Sequence, residues 1–188
     1  MKLSTLRVLA VSAVLSVSVV AGTVAFAENP MVGGAAMSET KDIIDNAMNS
    51  ADHTTLVAAV QAAGLVDTLK GPGPFTVLAP TNEAFAALPA GTVDNLLKPE
   101  NKDQLVKILT CHVIPAKALA ADITKMAMDD GGTHEVDTVG GCKLWLKADG
   151  GKVTVTDESG GVANVTIADV IQSNGVIHVI DKVLLPKM

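Results

Sequence analysis

The chain has 188 residues, a net charge of −6 and 48% hydrophobic residues, which is the size and composition of one globular domain with its own core. Its acidity argues against nucleic acid and anionic membrane surfaces as partners, since both are bound by clusters of Lys and Arg. Aromatic residues make up 2% of the chain, so it offers one or two rings at most to a stacking platform for bases or sugars.

The N-terminal segment has the three-part layout of a secretory signal peptide. Lys2 and Arg7 are basic, residues 8–24 are uncharged and mostly apolar, and Ala25-Phe26-Ala27 places small residues where a signal peptidase cleaves. A transmembrane anchor is the alternative, but the run is at the short limit of the roughly 17–25 residues needed and contains serines. The layout predicts a signal peptide over residues 1–27, cleavage near Ala27 and a secreted or periplasmic location in the cell envelope.

The predicted mature chain has no further stretch apolar enough for a transmembrane anchor. Without Lys2 and Arg7 it has 12 basic and 20 acidic residues, a net charge of −8. Residues 28–40 contain Pro30, Gly33 and Gly34 and are predicted to be a flexible leader. Residues 41–188 are predicted to form a single domain.

Two cysteines, Cys111 and Cys142, are present. Export would place them in an oxidising compartment, where an even number of cysteines usually pairs. The interpretation is an intramolecular disulfide with a structural role. Two buried free thiols or an intermolecular bridge are the alternatives.

The first half of the mature chain has helical patterns. Apolar residues recur at helical spacing in 43–48 and 56–63, and Gly64 is a natural helix end. A Gly-Pro-Gly-Pro turn over 71–74 precedes a short buried strand over 75–79. Thr81 and Thr92 are predicted helix N-caps, and a further helix starts near Pro99.

The second half changes to the alternation of strands. Residues 143–146, 153–156, 163–167 and 177–180 are strand-like, with turns at 148–151, 157–161 and 173–175. Helices first and strands later indicate the α+β class with an antiparallel sheet or sandwich.

Three segments together resemble the fasciclin (FAS1) family. Residues 73–85, which read GPFTVLAPTNEAF, resemble its first signature, and His112-Val113-Ile114-Pro115 resembles its central Tyr-His segment. Residues 173–186, which read SNGVIHVIDKVLLP, resemble its closing signature. Order and spacing match over about 41–186, nearly the whole mature chain.

The resemblance implies a FAS1-type β-sandwich or wedge of short strands flanked by several α-helices. It also implies work at the cell surface: adhesion, matrix association or partner binding. The positions of the motifs that would be structural are Thr81, Asn82, Phe85, His112, Asn174, Gly175, His178 and Asp181.

The chain departs from the family at Cys111, where the family usually has Tyr before the central His. Any adhesive role of that Tyr-His segment is therefore in doubt, and the thiol fits the disulfide interpretation. An Asn-Lys-Asp run at 101–103 is like an adhesion motif of animal members, but it lies in the wrong place; the equivalent stretch is 167–171, which keeps only the Asp. The candidate interaction residues are His112, Val113, Ile114, Asp169, Val170 and Ile171.

No catalytic or metal site and no cofactor is predicted. Cys111 and His112 are neighbours in a strand-like run, so their side chains would point to opposite faces. His112 and His178 are interpreted as buried and hydrogen-bonded. The donor-rich segment 126–137 is interpreted as an acidic surface loop, because its mixture of oxygens and sulfurs suits neither hard cations nor copper.

The sequence thus predicts an exported, non-catalytic adhesion or protein-interaction module whose partner is a protein or another cell-surface component. The alternative is a periplasmic carrier of a small ligand or lipid, in which Val, Leu, Ala and Met would line an apolar cavity.

Overall fold

A computed structural model describes residues 29–187. The predicted signal peptide over 1–27 lies outside them. The helices are α1 Ile43–Ala47, α2 Thr54–Ala63, α3 Val66–Lys70, α4 Asn82–Ala86, α5 Thr92–Leu96, α6 Lys102–Thr110 and α7 Ala120–Asp129, with 3-10 turns at Ala51–His53 and Pro99–Asn101. The strands are β1 Met31–Val32, β2 Ala35–Ala36, β3 Phe75–Pro80, β4 Val113–Ile114, β5 Thr133–Asp137, β6 Lys143–Asp149, β7 Lys152–Thr156, β8 Val162–Gln172 and β9 Gly175–Ile180.

Seven strands form one sheet in the order β4-β3-β9-β8-β7-β6-β5, with several helices packed on it. This confirms the predicted α+β class and the strand-and-helix architecture of the fasciclin type. The sequence predicts an antiparallel sheet or sandwich; the other strand pairs of this sheet are antiparallel, whereas β3 and β9 pair in parallel, from Phe75 opposite Gly175 to Pro80 opposite Ile180. Every residue of β9 is buried, as is typical of a central strand covered on both faces.

Two hydrophobic clusters form the interior. One lies between helices α1 to α6 and one face of β3 and β9, where Val77 and Ile177 point. The other lies under α7 and contains Leu78, Ile123 and Leu146. Successive residues of β3 enter different clusters because strand side chains alternate between faces. The central pair of strands therefore separates a helical half from a β-rich half.

Strand β8 connects the two halves. Its first residues pair with β7, with Asn164 opposite Thr154, and its last residues pair with β9, with Val170 opposite Ile177. The register shifts twice between Val165 and Val170, and Asp169 has a φ of 58°. Such irregularities bend a strand, so β8 leaves one neighbour and continues along the other.

Residues 31–37, which fall within the predicted flexible leader over 28–40, form a hairpin and pack on the core; residue 28 lies outside the described residues. Strands β1 and β2 form a hairpin in which Val32 is buried, and Met37 just after it is buried as well. Gly33 also accepts a hydrogen bond from the Ala51 backbone N–H at 3.2 Å. Two buried apolar side chains in ten residues are enough to pack a short hairpin on the core. The glycines and the proline of this segment favour a flexible leader in the sequence, so the hairpin was not predicted.

Two local predictions differ from the structure. Thr92 is the first residue of α5 rather than its N-cap, which is Gly91 with a φ of 81°. The segment 126–137 is not a loop, because it contains the end of α7 and the whole of β5. By contrast, Thr81 caps α4 through its side chain, and Gly64 ends α2 with a φ of 74°, both as predicted.

Candidate interaction surface

The first fasciclin-like segment fixes the start of α4 against the start of α2. Thr81 Oγ1 accepts a hydrogen bond from the Ala84 backbone N–H at 3.3 Å. Asn82 Oδ1 accepts from the Thr55 backbone N–H at 3.0 Å, and its Nδ2 donates to the Ala51 carbonyl at 2.8 Å. Phe85 is buried in the helical half. The polar atoms of this segment are therefore used inside the fold.

The central segment places His112 between α6 and the C-terminal end of the described chain. Its Nδ1 donates to the Ile108 carbonyl at 2.8 Å, and its Nε2 accepts from the Leu184 backbone N–H at 2.9 Å. This pattern requires a neutral ring. Burial lowers the pKa of His112 to about 4, against the opposing effects of the Ile108 carbonyl and Asp157. Both ring nitrogens are occupied, so His112 has a structural position.

Asn174 in the closing segment joins three parts of the chain. Its Oδ1 accepts from the Ile43 backbone N–H at 3.1 Å, and its Nδ2 donates to the Leu69 carbonyl at 2.7 Å and the Gly71 carbonyl at 3.2 Å. Gly175 follows, and a Cβ atom there would collide with the Phe75 carbonyl of the parallel strand. Asn-Gly is thus both a turn and a close contact between β9 and β3.

His178 and Asp181 hold β8 in place. The His178 ring accepts from the Asp169 backbone N–H at 3.2 Å and donates to the Ala118 carbonyl at 2.8 Å. Asp181 accepts from the backbone and side-chain nitrogens of Asn164, both at 2.7 Å. Burial lowers the pKa of His178, so this ring is also neutral.

The six predicted interaction residues do not form one surface. His112, Val113, Ile114 and Val170 are buried, and β4 and β8 are separated by β3 and β9 in the sheet. Only Asp169 is exposed and Ile171 half-buried. Asp169 Oδ1 also accepts from the Ala120 backbone N–H at 2.7 Å, at the start of α7. Because the apolar residues of this set pack in the core, Asp169 and Ile171 are the members of the six that a partner could reach.

A structural site that the sequence did not reveal lies in the turn after β7. Buried Asp157 accepts from the Leu185 backbone N–H at 2.8 Å and from the Gly161 backbone N–H at 2.7 Å. Glu158 accepts from the Lys143 and Lys187 backbone N–H groups at 3.0 and 3.1 Å, which lowers its pKa. The segment was predicted only as a turn, because its long-range partners leave no local pattern.

Cys111 and Cys142 form the predicted intramolecular disulfide. Their Cα atoms are 5.3 Å apart and both residues are buried. The bond links the end of α6 to the residue before β6. A Cβ atom on Gly140 would lie 2.9 Å from the Cys111 backbone nitrogen, so the chain passes the disulfide closely at a residue without a side chain.

The donor-rich segment 126–137 brings few ligand groups together. His134 Nδ1 lies 2.5 Å from Asp130 Oδ2. Within residues 29–187, no group of three or more His, Cys, Asp or Glu side chains is arranged to hold a metal ion. Over the same residues, no helix has both the length and the apolarity to cross a membrane.

The apolar interior of the described chain has a cavity among the helices. Its volume is about 30 Å³, and residues of α1, α2 and α3 line it together with β3. The described surface also has a cleft of about 450 Å³ between β7 and β8, where Lys152 and Asn164 lie. A third recess of about 370 Å³ lies beside Gly73-Pro74 and Ser173-Asn174.

The fold and the three segments define a fasciclin-type module, and comparison with known proteins agrees. The family model of the fasciclin domain matches residues 51–186, so the chain belongs to this family. Protein sll1483 of Synechocystis sp. is 47% identical over 188 residues, which cover 97% of each chain.

More distant relatives come from animals and other bacteria. Transforming growth factor-beta-induced protein ig-h3 of Sus scrofa is 40% identical over 131 residues, 70% of this chain and 17% of that protein. Immunogenic protein MPB70 of Mycobacterium bovis is 35% identical over 145 residues, 74% of this chain and 66% of that protein. A solved FAS1 domain pair from the insect cell adhesion molecule Fasciclin I has a TM-score of 0.54 and 27% identity, covering 67% of this chain and 42% of that one.

Proposed function

We propose that the chain is an exported, non-catalytic adhesion or interaction module that binds a protein or another component of the cell surface. The observation that carries the proposal is membership of the fasciclin family over residues 51–186. Similarity to a domain pair of an insect cell adhesion molecule supports the same class of function.

The geometry supports a function at the surface rather than in a pocket. The motif side chains that carry chemistry, including His112, His178 and Asn174, are bonded to backbone groups inside the fold. A general base or nucleophile must reach a substrate with a free atom. Here the polar motif residues hold loops and strands, and exposed faces remain for contact with a partner.

Export is supported by the disulfide together with the predicted signal peptide. Disulfides such as Cys111–Cys142 persist in oxidising compartments and are rare in the cytosol of most organisms. The location that fits both features is the periplasm or the exterior of the cell.

The alternative, a carrier of a small ligand or lipid, is less well supported. The cavity among the helices has a volume of about 30 Å³, whereas ligand pockets enclose roughly 300–1,000 Å³. A carrier would have to open this space by moving α1, α2 and α3 apart. Native mass spectrometry of protein purified from its own host distinguishes the two, because a carrier retains added mass.

The test of the interaction function is cross-linking on the intact cell envelope with the tagged, secreted protein as bait. The Cys111→Ala/Cys142→Ala variant is run beside it after its fold has been checked by circular dichroism. We expect the wild type to capture a specific protein or polysaccharide. We expect a folded variant to capture the same partner, because the disulfide is buried.

Capture of nothing, under conditions where a known envelope complex is recovered, contradicts the interaction function. Loss of capture in a folded cysteine variant would instead give the disulfide a role in binding. The two outcomes are distinguishable because the wild type is measured in both cases.

A further inference from the structure

One face of the sheet carries polar side chains around a single indole ring. Along β6, β7 and the start of β8, alternate residues are buried under α7 and the others point outward; in the edge strand β5 the inward residues are half-buried. We call the outward side chains of residues 133–137, 143–149, 152–156 and 162–164 the Trp145 face. Trp145 is the only tryptophan of the chain and is half-buried near the middle of this face.

The register of the strands defines two rows across the face. Glu135, Trp145, Thr156 and Val162 lie opposite one another in the first row. Thr133, Lys147, Thr154 and Asn164 form the second. Same-face residues on one strand are about 7 Å apart. The second row, with its hydroxyl, ammonium and amide groups, therefore begins about the width of one sugar ring away from the indole.

One hydrogen bond orients the indole. Trp145 Nε1 donates to Glu135 Oε2 at 3.1 Å, and Glu135 is in turn paired with Lys143. Hydrogen bonding to Lys143 lowers the pKa of Glu135, so this carboxylate stays charged at neutral pH. A ring fixed in this way loses little further freedom when a ligand stacks on it.

The outward side chains of the face include equal numbers of acidic and basic groups, and the Asp181 carboxylate, bonded to Asn164, lies beside them. Glu135, Asp137 and Asp149 are acidic, and Lys143, Lys147 and Lys152 are basic. The whole chain has a net charge of −6, so its excess acidity lies elsewhere. An anionic polymer that covered the face would meet that acidic remainder, whereas a neutral polymer meets no such repulsion.

The face also lacks the apolar centre of a protein–protein interface. Val162 is its exposed large hydrophobic residue, with 42% of its surface accessible. Interfaces between proteins are usually built around several buried apolar or aromatic residues. One oriented aromatic ring, surrounded by short hydroxyls and balanced charges, suits a ligand with apolar C–H faces and a rim of hydroxyl groups.

We propose that the Trp145 face binds a neutral polysaccharide of the cell envelope or its surroundings, with one sugar ring stacked on Trp145 and its hydroxyls bonded by Lys147 and Thr154. This inference rests on the proposed interaction function and names the partner class.

The single tryptophan provides a direct measurement. Neither the predicted mature chain nor the rest of the sequence contains tyrosine, so intrinsic fluorescence excited at the indole band reports on Trp145 alone. Soluble cello-, manno- and isomalto-oligosaccharides are titrated into the disulfide-bonded protein. In parallel, native gels are run with hydroxyethyl cellulose, galactomannan or dextran, and with alginate as an anionic contrast.

We expect at least one neutral polysaccharide to retard the protein, and its oligosaccharide to change the emission and shield the ring from acrylamide. Trp145→Ala should weaken binding by about tenfold or more. Lys147→Ala and Thr154→Ala should weaken binding severalfold. Lys98→Ala, which removes an exposed charge outside the Trp145 face, is the control and should not weaken binding.

Absence of retardation by every neutral polysaccharide overturns the proposal, as does binding of alginate alone. Retardation with unchanged Trp145 emission also overturns it, and this readout on the wild type holds even if Trp145→Ala fails to fold. Envelope capture of a protein partner without polysaccharide binding would leave the interaction function standing and remove only this inference.

Discussion

Three histidines are buried in the fold as neutral rings: His53, His112 and His178. In each case burial is the largest effect and lowers the pKa of the ring. His112 and His178 have partners at both nitrogens. His53 bonds Ser50 Oγ through Nδ1 at 2.8 Å, and its Nε2 lacks a hydrogen bond among the described residues. At the scale of single residues, these rings make the stability of the fold depend on pH.

We predict that stability falls as the pH drops below 6.5. In the unfolded chain the rings bind protons near pH 6.5, whereas folded His112 does so at about 4. The stabilisation is therefore complete above pH 6.5 and is lost as the pH falls to 4, by roughly 3 kcal/mol for His112 alone. Urea unfolding between pH 7.5 and 4 measures it.

Carboxyl groups titrate mainly below about pH 4.5, so a loss between pH 6.5 and 5 belongs to the histidines. The His112→Gln variant, although less stable at pH 7.5, should show a shallower decline in this range. Parallel pH curves for the variant and the wild type would contradict the assignment.

Asn174 provides a second prediction for a single residue. Replacement by Asp keeps the shape but removes both donors and brings a carboxylate against the Leu69 and Gly71 carbonyls. We expect Asn174→Asp to lower the free energy of unfolding by about 2–4 kcal/mol. Asn95→Asp, at an exposed position, is the matched control and should change it by less than about 1 kcal/mol.

At the scale of elements, the N-terminal hairpin depends on one close approach. A Cβ atom on Gly33 would lie 2.6 Å from the Asp52 backbone nitrogen and 2.8 Å from that of Ala51. Gly34, the neighbouring residue, has open space around it. Both have positive φ, at 58° and 77°, so they differ chiefly in their surroundings.

We therefore predict that Gly33→Ala is the more harmful change. Gly34→Ala should cost about 1–2 kcal/mol from its backbone conformation alone. Gly33→Ala should cost at least about 1 kcal/mol more, because the hairpin must shift off the 3-10 turn at Ala51–His53. Thermal unfolding of both variants measures the difference; equal melting temperatures would show that the hairpin adjusts without loss.

The sequence predicts the helices and strands whose apolar residues recur at a clear spacing. It does not predict the helices and strands that lack such a pattern. Helix α6 and strand β3 have clear apolar patterns, whereas α7 buries only Ile123 and Ala127 and is otherwise polar or half-exposed. Strand β5 is an edge strand with a polar outer face, so it has little apolar alternation. The parallel pairing of β3 with β9 depends on tertiary packing, which no local pattern records.

The candidate site was predicted less well than the fold. The sequence predicts structural roles for the motif residues, since Asn and His before a turn or within an apolar run need internal partners, and Asn174, His112 and His178 have such hydrogen bonds. Most of the predicted interaction residues lie in apolar segments of the sequence. Such segments fold into the hydrophobic core, so their side chains are buried. The Trp145 face could be found only after the strand register was known, because its residues come from four separate strands.

At the scale of the whole molecule, the disulfide joins the two halves of the interior. Cys111 follows α6 of the helical half, and Cys142 precedes β6 of the β-rich half. The bond closes a loop with a sequence separation of 31 residues. It therefore limits how far the two halves separate in the unfolded chain.

We predict that Cys111→Ala/Cys142→Ala lowers the free energy of unfolding by about 3.5 kcal/mol, the value that loop-closure entropy gives for a loop of this size. Urea midpoints of the oxidised wild type and the variant measure it. Wild type unfolded in the presence of a reductant is the control and should match the variant. A midpoint that is the same with and without the disulfide would contradict the prediction.

The position of β9 has a consequence for biogenesis. This interior strand of the sheet is the last strand along the described chain, and its parallel partner β3 lies a hundred residues earlier, with Phe75 opposite Gly175. Strand β9 lies between the two hydrophobic clusters, so neither cluster is complete until residues 175–180 have been synthesised. Because the pairing of β3 with β9 is long-range, the sheet and both hydrophobic clusters are completed only when residues 175–180 are available.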